Sequence, residues 1–207
     1  NNLSGGVFMA LLDPYGLNMF PVEIWGLVFG LASTGFIVGG IIVAKWGLGK
    51  NPIRTMLILV ALLGVLGMFF TIREWPWLFI GGIWLFMAMM PAIEAAEQTV
   101  IQRVVPFEKQ GRVFGLAMTF EAAAAPITSL LIAPIAEFWV VPYMSEAEGE
   151  AQWSWLLGEG ESRGIALIFL ISGFLMILLA IGASLTRSYR LLSRSWMDAA
   201  PPVDSAS

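Results

Sequence analysis

Apolar residues in this chain come in long unbroken runs, not in the alternating or one-faced stripes of a water-soluble fold. Runs of about 18 or more residues, the length that crosses a bilayer, cover Ile24 to Ala44, Thr55 to Ile72, Trp77 to Ile93, Val113 to Ala136 and Gly164 to Thr186. Only Glu121 interrupts the fourth, and the third continues as helix to Thr99. Five spanning helices are predicted. A further uncharged run, Asn1 to Leu12, covers roughly 18 Å at about 1.5 Å per residue, short of a hydrocarbon core of about 30 Å. It has neither a basic leader segment nor an initiator Met, so it is expected to be a truncated helix and not a signal peptide.

The polar positions sort by side. Lys45, Lys50 and Arg54, then Arg103, Lys109 and Arg112, then Arg187, Arg190 and Arg194 fall in alternate connections, nine of the eleven bases. Arg73, Arg163, Asp13, Glu23, Glu74 and the acid-rich stretch Glu137 to Glu161 fall in the others. Basic connections stay in the cytoplasm. The expected protein is therefore multi-pass in the inner (cell) membrane, with its C-terminus cytoplasmic. Trp25, Trp75, Trp77, Trp139, Trp153 and Trp155 gather near the opposite boundary, as interfacial aromatic belts do. Residues 1–194 form one helical bundle in this scheme, and 195–207 a disordered cytoplasmic tail.

Composition names the solvent. With 58% hydrophobic and 13% charged residues and a mean hydropathy of +0.80, the chain suits lipid far better than water. Membrane lipid is thus an expected partner. The absence of Cys and His removes the soft and imidazole metal ligands, so no metal or cofactor is expected. A net charge of −4 argues against nucleic acid as a partner.

Small residues recur at helix-packing spacing. Gly26 and Gly30 are four apart, as are Gly35 and Gly39, a spacing that brings backbones close where no hydrophobic effect drives helices together. Val113 to Ala136 has a small face through Gly115, Ala122, Ala125, Ser129, Ala133 and Ala136, with Pro126 and Pro134 as kink points, and Trp77 to Thr99 has Gly81, Gly82 and Pro91. Such features serve static bundle contacts or helices that rock against each other.

The stretch "IQRVVPFEKQGRVFG", Ile101 to Gly115, is a short charged connection between the fourth and fifth long helices, counting the truncated one first. Pro106 ends one helix, and Gly111 is expected to let the chain turn before Arg112 anchors the next at the lipid phosphates. Its Gln102, Val105, Pro106, Glu108, Gln110, Gly111, Arg112, Val113, Phe114, Gly115 and Leu116 resemble the loop between the tenth and eleventh helices of drug:proton antiporter-like members of the major facilitator superfamily. "EAAAAPITSLLIAPIAEFWVVPYM", "RGIALIFLISGF" and "SYRLLS" are similar to the closing helices of a bacterial macrolide-efflux-like branch. "GLASTGFIVGGIIVAKWG" with "NPIR" resembles the eighth helix and its basic loop, without that motif's Asp and paired Arg. The resemblance implies an all-α polytopic bundle: the C-terminal six-helix half of a twelve-helix exporter with a truncated first helix. It also implies two further partners, an N-terminal six-helix half and a small-molecule substrate.

Ionisable groups inside a span cost about 2.5 to 3.5 kcal/mol on insertion scales and are functional candidates by default. Glu94, Glu97 and Glu121 qualify. Glu94 and Glu97 share a helix face near the basic boundary, open to pairing with Arg103 or Arg112 as well as to coupling. Glu121 is roughly 13 Å beyond Arg112 along a helix, near the bilayer middle, where desolvation raises proton affinity; packing is its other role. The span residues offer neither a nucleophile–base pair nor a channel filter. The expected function is proton-coupled efflux of small amphipathic compounds by alternating access. The alternative is a transporter-like scaffold or lipid-interacting protein that moves nothing.

Overall fold

Prolines and caps, more than charges, decide where the long helices start and stop. The computed structural model describes residues 2–158 and 162–198, which are helical apart from short connections, with no strand among them. In order they form α1 (Asn2–Met19), α2 (Val22–Trp46), α3 (Pro52–Phe69), α4 (Pro76–Val104), α5 (Phe107–Ile135), a π-helical turn (Ala136–Val140), α6 (Val141–Ser145), α7 (Ala147–Leu157), α8 (Arg163–Leu185) and α9 (Arg187–Asp198). Pro52 and Pro76 open α3 and α4, where a missing N–H costs nothing. Asn51 caps α3, its side chain accepting from Arg54 N at 3.1 Å.

Five segments are long and apolar enough to cross a membrane: α2, α3, α4, α5 continued to Ser145, and α8. The chain is an all-helical membrane protein by that measure. α1 departs from expectation, because it runs through Asp13 and Pro14 to Met19, about 27 Å. Asp13 does not stop it, since its carboxylate accepts from Trp25 Nε1 at 3.0 Å. Pro14 merely leaves Ala10 O without its helical donor. α1 supplies Val7, Phe8, Leu11, Leu12 and Tyr15 to the core. At the other end, α9 continues to Asp198, past the expected tail boundary at 195; residues 199–207 lie outside the described ones.

α2 packs on α4, α3 on α4 and α8, and α1 on α5 and α8. Exchanging α1, α2 and α3 for α4, α5 and α8 maps this pattern onto itself: α2 on α4 becomes α5 on α1, and α3 on α4 becomes α8 on α1. Since each set holds three alternating helices, the second starts from the opposite end of the bundle to the first.

The tightest seams are glycine seams. A Cβ on Gly64 of α3 would sit 2.7 Å from Gly173 O of α8, and one on Gly173 would strike Gly64 O. Likewise, side chains on Gly35 and Gly39 of α2 would collide with the α4 backbone at Trp84 and Ala88. Gly26 and Gly30, expected to pack, instead face open space, because α2 turns that part of its small-residue stripe away from α4. Aromatic rings fill the centre: Phe8 stacks on Phe169 at 4.9 Å between centroids, and Phe70 lies parallel to Phe79 at 5.7 Å.

The charged connection also differs from expectation. Only Val105 and Pro106 separate α4 from α5. Pro106 holds Val105 extended (φ −96°, ψ 127°), as a residue before proline must be, and that reverses the chain. Gly111 is an ordinary residue of α5, without positive φ, so it makes no turn.

Candidate functional site

Glu94 of α4 and Glu121 of α5, on separate helices, line one open cavity of about 260 Å³. α1 contributes Gly5, Gly6 and Met9 to it, α2 Phe36, α3 Leu63, and α4 also Phe86, Met87 and Met90. Thioethers and rings make its wall soft and adaptable; the two carboxylates are its acidic groups. Pro91, three residues before Glu94, cannot donate to Met87 O, so the α4 ladder is broken where its lining side chains project. Glu94 is half-buried and Glu121 exposed.

Both carboxylates lie well inside their helices. α5 begins at Phe107, which puts Glu121 fourteen residues in, roughly 21 Å. α4 continues to Val104, ten residues past Glu94, or roughly 15 Å. Glu97, half-buried one turn farther along α4, is not among the lining residues.

The loop-motif residues act locally. The Gln110 side chain donates to Gln102 O at 2.8 Å and Val105 O at 3.0 Å, closing the carbonyl end of α4 from the first turns of α5. Pro106 is the residue before α5, and Gly111, Arg112 and Gly115 sit exposed in its opening turns. Pro126 and Pro134 lie inside α5, and the π turn follows directly.

A second polar cluster was not anticipated. Arg163, 1% exposed at the start of α8, pairs with Glu74 Oε1 at 2.7 Å. It also donates to Leu157 O at 2.5 Å, Tyr15 Oη at 3.0 Å, Ser162 Oγ at 3.2 Å and Thr71 O at 3.4 Å. Tyr15 in turn donates to Thr71 O at 3.4 Å, and Ser162 to Glu74. Arg73 donates to Trp155 O at 3.2 Å. Both arginines outside the basic connections thus close the carbonyl end of α7, where a helix favours cations. The signal was present: two isolated bases among acids and tryptophans need local partners.

No family model matches the chain, and neither does any curated protein or any solved structure.

Proposed function

We propose that the chain is the C-terminal six-helix half of a major-facilitator-type secondary transporter, working with an N-terminal half as a proton-coupled exporter of small amphipathic compounds. The observation that carries this is the convergence of Glu94 and Glu121, from two helices, on one Met- and Phe-lined cavity. Apolar walls with a few convergent polar groups suit an amphipathic ligand. The exchange of α1–α3 with α4, α5 and α8 supports the architecture, since each half of such transporters is built from inverted three-helix repeats.

In this mechanism the carboxylates alternate between neutral, when the cavity is closed and dry, and charged, when water or a cationic substrate enters. The basic connections face the cytoplasm. The test is substrate-induced proton release from the purified complete transporter. Release should vanish in Glu121→Gln, which mimics the protonated state, and survive in part in Glu121→Asp. Equal release from wild type and Glu121→Gln, both folded, sinks the proposal.

A further inference from the structure

The end of the bundle that collects the bases has another recess, which shares no lining residue with the cavity of Glu94 and Glu121. Between the start of α3 and α9 lies an open cleft of about 630 Å³, with Lys50, Arg54, Tyr189 and Ser193 in its lining. Asn51 Nδ2 donates to Ser193 Oγ at 2.6 Å, which lays α9 across the cap of α3 and sets the cleft's width. Through Arg54, Ile58 and Tyr189, shared by both, the cleft continues into a groove of about 280 Å³ between α3 and α8 that includes Ile181.

The cleft and groove differ in chemistry. In the first, Lys50 and Arg54 are both exposed, and neither has a carboxylate partner among the described residues. The N-terminus of α3 adds its partial positive charge, and the Tyr189 hydroxyl is a further donor. In the second, Leu57, Ile58, Ala61, Ala180 and Ile181 of two membrane-spanning helices form most of the wall, with Ser184 beside them and Arg54 and Tyr189 at the shared end. A doubly cationic recess at the bilayer boundary that opens into an apolar furrow running along the spans matches a molecule with an anionic head and a hydrocarbon chain. A soluble anion would use the head end and leave the furrow empty.

We propose that this site binds an anionic phospholipid, its phosphate held between Lys50 and Arg54 and one acyl chain lying over Ile58 and Ile181. Lipid binding here is independent of transport and survives if the exporter reading fails.

The test is native mass spectrometry of the full chain in detergent, titrated with phosphatidylglycerol, phosphatidylcholine or soluble glycerol phosphate. Phosphatidylglycerol should be retained preferentially and glycerol phosphate hardly at all. Lys50→Ala/Arg54→Ala should weaken phosphatidylglycerol binding roughly thirtyfold, as expected for two cations at a membrane surface, while Lys50→Arg/Arg54→Lys keeps most of it. Both side chains are exposed, so elution and helicity should match wild type. Equal retention of the two lipids, glycerol phosphate binding as tightly as lipid, or unchanged affinity in the double alanine variant each overturns the proposal.

Discussion

Arg163 shows how much one side chain can be asked to hold. Burying a guanidinium costs several kcal/mol unless ion pairing and hydrogen bonds compensate, and its place at the start of its own helix is the wrong end of that dipole. The carbonyl end of α7, the Glu74 carboxylate and the Tyr15 hydroxyl offset both penalties. Glu74→Gln, which leaves the cation buried, should cost about 1–3 kcal/mol, less than a fully buried pair because the Glu74 side chain is 46% exposed. Arg163→Met combined with Glu74→Gln should be milder than the sum of the single changes. Thermal unfolding in detergent, read as a double-mutant cycle, checks this, and additive losses would mean the two groups are not coupled. Tyr15→Phe should cost about 1 kcal/mol by removing the hydroxyl that links Arg163 to Thr71 O. Two bases isolated among acids signal that partners are needed, but the partners themselves were not legible beforehand. Charge counting assigns Arg163 to a side of the membrane, but beyond the adjacent Ser162 its partners come from three separate stretches of chain, at Tyr15, at Thr71 and Glu74, and at Leu157.

Helices were far more legible than their limits. Runs of apolar residues reveal where lipid is the solvent, and the five spans follow from them; α1 continues past its run in spite of Asp13 and Pro14, and α4 runs on until Pro106 stops it. Two substitutions separate the observed turn from the expected one. Gly111→Ala should be tolerated or stabilise α5 by up to about 1 kcal/mol, because the glycine is helical and a Cβ meets nothing within 4 Å. Gln110→Ala should instead cost about 1 kcal/mol by uncapping α4. Denaturant titration distinguishes them, and a destabilising Gly111→Ala would restore the glycine as a hinge. The glycine stripes show a second limit: spacing reveals a face but not its neighbour. Gly39→Leu should force α2 away from α4 and lower the yield of folded protein several-fold, whereas Gly30→Leu should leave it unchanged. Size-exclusion profiles of the two variants decide it, and equal yields would contradict the seam. The cavity was half legible in the same sense. Glu94 and Glu121 stand out as charges among apolar residues, yet their convergence depends on α4 and α5 meeting around α1.

For the whole molecule, the alternation of helices puts Lys50, Lys109 and Arg190 at one end and Trp155 at the other. The chain contains no Cys, so single cysteines can report sidedness without background. Cysteines at 50, 109 and 190 should react with a membrane-impermeant thiol reagent from one side of the membrane, and a cysteine at 155 from the other. Labelling of 50 and 155 from the same side would refute the helix order. The Arg163 cluster also bears on how the protein is made. Tyr15, Thr71 and Glu74 are synthesised long before the residue that joins them, and α3 waits for its glycine partner at Gly173 until α8 arrives. A nascent chain halted before α8 therefore holds its first helices with one end unlatched and a seam unfilled. Arrival of α8, not insertion of any earlier span, is the event that latches Tyr15 and Glu74 through Arg163 and fills the Gly64 seam.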